Sequence, residues 1–431
     1  MAKLLISRRS AARDHAFLSH ARSRGALAIL LFTLTTSWAG SAAAISRSAS
    51  ASIPAGTVLY VRLKTPVSTA TSKVHQKVTA VVERQVFVDG KVVVPLGADL
   101  SGEIEKVHSS QNPNDAASMV IHFGQLTLAG AKPVDISCHL AKVENARETV
   151  ASDGTIQGVL PSSLGSTYID NALGRLEKQY PGLSGALGGF QKKQVGTPNV
   201  AIDYPAGTDM DVKLDKPLAA SASFAPAAAR QLPPAVTPSV NAVLANAPQR
   251  SSTQKGAPGD PLNLVLIGSE SQIRAAFEKA GWDIPAARQR NAIAKTVQAV
   301  IQGVGDNAAP ISNLYLYRRP QDLAFEKVLN TFAMRHHLRL WKAPLQTPDG
   351  RQIWLGAAVH DTGYDIHPGV ASHATDPHLD EERAKVGADL ISVGSVEAGQ
   401  LVTPPHPLST GYTGTGGAWD TDGKLLVLDL K

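Results

Sequence analysis

Seven of the 13 histidines lie in the second half of the chain: His336, His337, His360, His367, His373, His378 and His406. Asp361, Asp376, Asp380, Arg335, Arg339 and Arg383 accompany them. Imidazole with carboxylate is a donor set for zinc or another divalent ion. Imidazole with guanidinium suits a phosphate or carboxylate anion. On residue type, His360 and His373 are the candidate ligands or proton-transfer groups, with Asp376 as a further metal ligand. Asp361 or Asp376 would orient an imidazole, and Arg335, Arg339 and His337 would hold an anion. A catalytic reading rests on His360, Asp361 and His373, and the implied cofactor is a divalent metal such as zinc. A structural reading stands beside it. Asp376, Asp380, Glu381 and Glu382 are what the first turn of a helix favours, and His336 and His337 alternate faces on a strand, so only one can point with a given neighbour.

Other chemistries lack their residues. The chain has no HExxH, no G-x-S-x-G, no Walker A and no G-x-G-x-x-G after a strand. Its single cysteine rules out both an intramolecular disulfide and a cysteine-rich zinc cage. Cys138 alternates with Val134, Ile136 and Leu140 and reads as a buried strand residue. The Gly-rich stretch 411–423 precedes a strand, whereas a phosphate cradle needs a helix N-terminus behind it, so it reads as a surface loop. Trp282, Trp341 and Trp354 sit in apolar patterns and read as core.

The elements that must position these residues are mixed. "PLNLVLIGS" reads as a strand, "ESQIRAAFEKAGW" as an amphipathic helix and "ARQRNAIAKTVQAVIQGVG" as a second helix. Strand-like runs follow at "ISNLYLY", "HHLRLWKA" and "RQIWLGAAVH". "TDPHLDEERAKVGADL" reads as a helix capped by Asp376 with Pro377 in its first turn, and "KLLVLDL" as a last strand. Residues 260–431 are therefore expected to form an α+β domain with a mixed sheet.

These segments carry a resemblance. "PLNLVLIGS…AAFEKAGW", "LYLYRRPQDLAFEK", "RHHLRLW", "GRQIWLGAAVHDTGYDI" and "SHATDPHLDEERAKVGADL", in that order, resemble the LssY-type C-terminal domain over about 260–391. In that family the domain follows membrane-embedded phosphatase-like or DedA-like modules, and no second long apolar stretch is present here. The resemblance implies a cell-envelope setting and no particular reaction.

The first half alternates with a period of two from 53 to 143, with a "DG" hairpin signal at 89–90 and Gly and Pro between runs. This predicts an all-β barrel or sandwich over 53–218, with a helical and flexible insertion at 150–200 whose helix is "STYIDNALGRLEKQYPGL". "IPAGTVLYVRLKTPV" at 53–67 and "YPAGTDMDVKLDKPL" at 204–218 are near copies. They are expected to be the first and last strands, pairing to close the sheet. "PAGTVLYVRL", "VVERQVFVDGKVVVPLG" and "SGEI" resemble the β domain of TrbI-type secretion channel proteins, through turn chemistry that implies no channel function. Residues 219–258, rich in Ala, Pro and Ser, read as a linker tethering two independent bodies.

Residues 1–44 have the form of a secretory signal: a basic leader, an apolar run at 26–38 and small residues ending at Ala44. Thirteen apolar residues are short for a span, which needs roughly 20. The formal charge of +6 belongs mostly to this leader. Removing its six bases and one acid from 42 and 36 leaves 36 against 35, a net +1, with no dense basic block to meet nucleic acid. The expected protein is exported, periplasmic or associated with the outer envelope, with envelope proteins or lipid and phosphate ligands as partners. It is a non-catalytic binding or scaffold protein, or alternatively a hydrolase of a phosphorylated or lipid-linked substrate. The enzyme reading requires His360, His373 and a carboxylate to converge.

Overall fold

The computed structural model describes residues 52–160, 200–219, 230–285 and 311–431, apart from 90, 113, 129, 332–333, 368–369 and 414–415. The leader, the helix expected within 150–200 and the second helix expected near 287–305 lie outside the described residues, as do the side chains of 364–373, His367 and His373 among them. The described residues all fall in one compact unit within Ala49–Lys431. No helix among the described residues is long and apolar enough to cross a membrane.

The principal strands of the first half are β1 (Val58–Leu63), β2 (Lys77–Val82), β3 (Asp99–His108), β4 (Ser118–Thr127), β5 (Cys138–Val143), β6 (Thr155–Gln157) and β7 (Asp209–Leu214). They are hydrogen-bonded in the order β5-β7-β1-β2-β3-β4-β6 within a nine-stranded antiparallel, nearly closed sheet. The period-two pattern explains the packing: Leu59, Val61 and Leu63 alternate inward with Val78, Ala80 and Val82 in one apolar core. Cys138 is buried there, its thiol donates to the Phe123 carbonyl at 3.1 Å, and burial pushes its pKa up to about 12.

The two near copies pair as expected, and the pairing is reciprocal. Met210 faces Val61 and Val212 faces Leu59. Gly56 N–H donates to the Leu214 carbonyl at 2.7 Å, and Gly207 N–H donates to the Leu63 carbonyl at 2.8 Å. Each Pro-Ala-Gly-Thr turn thus closes on the far end of the other copy's strand. Each turn puts its glycine at positive φ, +85° and +97°, where a Cβ is costly.

The second half contains α1 (Thr237–Asn246), β8 (Leu264–Ile267), α2 (Glu270–Lys279), β9 (Leu323–Lys327), β10 (Met334–Gln346), β11 (Gln352–His367), β12 (Val370–Thr375), α3 (Leu379–Ser392), β13 (Val396–Val402) and β14 (Leu425–Leu430). The sheet runs β9-β10-β11-β8-β14-β13, with β12 pairing β11. Only its β8–β14 pair is parallel among the described residues, so the sheet is mixed. Alternate residues of β11 enter different cores. Ile353, Leu355 and Ala357 pack with α1 residues Val240, Val243 and Leu244, while Trp354 and Ala358 pack with Ile273 and Phe277 of α2 and Val386 and Leu390 of α3. Both faces are therefore apolar along "IWLGAA", the mark of a strand covered on both sides.

Two expectations are corrected. The stretch 219–258 is not a bare linker: it contains α1 and a strand at Arg250–Ser252, and α1 helps build the second core. An Ala-rich segment with few apolar residues has a weak period, but three inward residues suffice when a sheet face is waiting. Helix α3 begins at Leu379 with His378 as its N-cap and no side-chain cap. Asp376 instead accepts the His378 N–H at 2.9 Å, in the turn before the helix.

Candidate functional site

Strand geometry divides the predicted site residues between two faces of the second sheet. His336 lies directly opposite His360, and Arg335 opposite Asp361. Neighbours along a strand point to opposite sides. His360 and Asp361 therefore cannot share a pocket, nor can His336 and His337. The expected catalytic pairing of His360 with Asp361 is therefore split between the two faces, and Asp361 lies with His337 instead.

On one face, the anion-holding candidates are bound to the protein's own carboxylates. Arg335 donates to Glu326 at 3.0 Å and to Asp361 at 3.3 Å. His337 Nε2 is 3.2 Å from Asp361 Oδ1, and Arg339 donates to Asp260 at 2.8 Å. Arg335, His337, Arg339 and Asp361 are all buried. An external anion would have to displace these partners.

On the other face, His336 and His360 stack with centroids 4.2 Å apart and planes 20° apart. His336 Nδ1 is 2.7 Å from Glu382 Oε2 on α3. Its Nε2 is 3.3 Å from Glu144 Oε2, an ion-pair distance that lacks hydrogen-bond alignment, leaving this buried nitrogen without a hydrogen-bond partner among the described residues. Glu144 follows β5 and so comes from the first sheet's half of the molecule. His360 Nε2 is 2.9 Å from Asn145 Oδ1, while Asn145 Nδ2 donates to the Lys327 carbonyl at 3.2 Å. Asn145 holds a φ of +55°, a left-handed conformation that Asn tolerates.

The two rings are pushed apart in pKa. Burial lowers His336, but the Glu382 charge and the Glu144 and Glu382 contacts outweigh it and lift the imidazole to about 9. For His360, burial and then the neighbouring His336 charge lower it to about 4. Burial would raise Glu144, yet His336 and Lys142 hold its carboxyl well below the usual range. Glu382 is lowered in the same sense: burial opposes, and His336 prevails.

Beside this cluster lies a larger buried network that sequence reasoning missed. Arg62 of β1 donates to its cross-strand partner Asp209 at 2.7 Å and to Asp389 of α3 at 3.0 Å, and approaches Glu83 at 3.1 Å. Lys327 Nζ reaches Asp209 at 2.7 Å, and Lys385 Nζ reaches Asp209 at 2.9 Å and Asp389 at 2.6 Å. Trp282 Nε1 donates to Asp389 at 2.8 Å. Three cations thus balance three carboxylates across the seam between the two sheets. Burial would raise Asp209 and Asp389, but the surrounding cations hold both far below the ordinary carboxylate range. One trace was legible in the sequence, the i,i+4 spacing of Lys385 and Asp389. Their partners in the first half were not.

One candidate stands apart. Asp376 takes the His378 N–H rather than facing His360, whose carbonyl it meets only through its own backbone N–H at 2.8 Å. His373 pairs with Tyr364 in the β11–β12 ladder, and its side chain lies outside the described residues. Among the described residues, the group that does converge is Glu144, His336 and His360, each offering one donor atom within 4.8 Å of the others. A cleft of about 290 Å³, counting its open mouth, lies along the same seam between Tyr60, Arg84, Glu144, Asp211 and Lys385.

No curated protein matches the chain. Among solved structures it is similar to ComB10 of the Com type IV secretion system of Helicobacter pylori, at 14% identity over 38% of this chain and 88% of that one, with a TM-score of 0.22. That likeness is too slight to bear on what this chain does. The family match is more definite and reaches beyond the 260–391 expected from the motifs at both ends, taking in the end of α1: residues 244–425 match the family model described as LssY C-terminus.

Proposed function

We propose that this protein is an exported, non-catalytic binding or scaffold protein of the cell envelope, in which the two sheets act as one body and the LssY-like half presents the binding surface. The observation that carries this reading is the internal use of the candidate catalytic groups. Asp361 is held by Arg335 and His337, His360 is held by Asn145, and His336 is held by Glu382. A hydrolytic site needs a base and an anion-holding group turned toward a substrate. Here the guanidinium groups of Arg335 and Arg339 already meet Glu326, Asp361 and Asp260. The leader sequence and the LssY-like match support the envelope setting.

The test has two arms. Fractionation of cells expressing the full chain should place it in the envelope or periplasmic fraction; recovery in the cytoplasm alone would remove the export claim. Purified protein should hydrolyse p-nitrophenyl phosphate and phosphatidic acid no faster than buffer, with or without added zinc. Turnover that disappears in His360→Ala would overturn the non-catalytic reading in favour of a hydrolase.

A further inference from the structure

We propose a divalent-cation site of zinc type at the seam, with Glu144, His336 and His360 as ligands. It differs from the set His360, His373 and Asp376 expected from sequence and does not depend on the scaffold reading. Two imidazoles and a carboxylate form a common three-ligand zinc set that leaves a fourth position for water. One donor atom from each residue already lies within 4.8 Å of one from each of the other two.

The hydrogen bonds fix which nitrogens are available. Asn145 Nδ2 donates to the Lys327 carbonyl, so its Oδ1 faces His360 Nε2, which must carry the proton. That leaves His360 Nδ1 with its lone pair. His336 Nδ1 meets Glu382 Oε2 at 2.7 Å, which leaves Nε2 as the atom that gives up its proton to the metal. A ring nitrogen bonded to a carboxylate or amide oxygen is how ligand histidines are usually oriented. The buried Nε2 of His336 has no hydrogen-bond partner among the described residues, and Glu382 Oε1 is likewise unpartnered. Coordination gives that nitrogen a partner and asks one imidazole to tilt out of the 4.2 Å stack. Glu144 and Glu382 together balance a 2+ charge, while Lys142 at 2.9 Å from Glu144 Oε1 competes for one carboxylate oxygen.

Because Glu144 belongs to one half of the molecule and both histidines to the other, the bound ion would clip the two halves together. The experiment uses the purified full chain, stripped with chelator and then titrated with Zn²⁺ or Co²⁺. The expected result is about one equivalent retained after dialysis, Co²⁺ absorption of a four-coordinate site, and a melting temperature raised by about 2–5 °C at a hundredfold excess over Kd. Glu144→Gln and His360→Gln, which keep size and hydrogen bonding, should each lower affinity at least tenfold. His378→Ala, at an exposed position, should leave it unchanged. His336→Ala also removes the Glu382 pair and can unfold the protein, so the two Gln variants decide. No retained metal and no thermal shift in the wild type, or equal retention in both Gln variants, would overturn the site.

Discussion

Arg62 and Asp389 are separated by 327 positions in the chain yet meet at 3.0 Å, with Asp389 only 1% exposed. A buried ion pair of this kind is weak evidence of net stabilisation, but removing one partner strands the other in a medium that cannot solvate it.

Asp389→Ala should therefore destabilise the protein by about 3–5 kcal/mol, measured by urea unfolding. It leaves Lys385 and Arg62 short of a carboxylate and takes the acceptor from Trp282 Nε1. Arg62→Ala should be similar in size. The double variant should fall short of the sum by at least about 1 kcal/mol, since both single changes break the same network. Full additivity would mean that the contact does not couple the halves.

Acid should loosen the same seam. Asp209 and Asp389 have folded-state pKa values depressed by Lys327, Lys385 and Arg62. Their contribution is fully present above the unfolded value near 4 and is lost as pH falls toward the lower folded values. Stability followed by denaturant midpoint should drop steadily below about pH 4. Asp389→Asn should show a shallower drop.

Asp211 acts in the opposite sense. Burial, followed by the Glu144 charge, raises its pKa to about 6. The folded state then binds more protons than the unfolded chain between about pH 4 and 6, so stability falls as pH rises through that window. Asp211→Asn should flatten this slope. It should stabilise the protein at pH 7.5 by up to about 2 kcal/mol, discounted for the partial exposure of the group.

The glycines separate backbone strain from crowding. At Gly207 a Cβ would meet nothing within 4 Å, so Gly207→Ala should cost only the left-handed backbone term, about 1–2 kcal/mol. Gly56→Ala, in the reciprocal turn, should cost about the same. Gly102 sits at an irregularity between β3 and β4, where a Cβ would fall 1.9 Å from the His122 carbonyl oxygen. Gly102→Ala should cost about 2–4 kcal/mol, because backbone must move. Thermal melts of the three variants would check the order.

The sequence by itself determined the local layer of this protein. The period of two in "TVLYVRL", the doubly apolar "IWLGAA" and the 3.6 period of "ESQIRAAFEK" depend on which face each residue must bury, and adjacent residues decide that. The repeated Pro-Ala-Gly-Thr turns even marked two strands, distant in sequence, that pair inside the first sheet. Short-range pattern failed at α1, where the inward face needs only Val240, Val243 and Leu244. Tertiary structure alone decided the site. Cross-strand register set His336 rather than His337 against His360, and the docking of the two halves brought Glu144, Asn145 and Arg62 to the second sheet. The physical reason is that a side chain's face follows from its own strand, whereas its partner depends on how distant strands align, and the energy that fixes that alignment lies in contacts hundreds of residues apart.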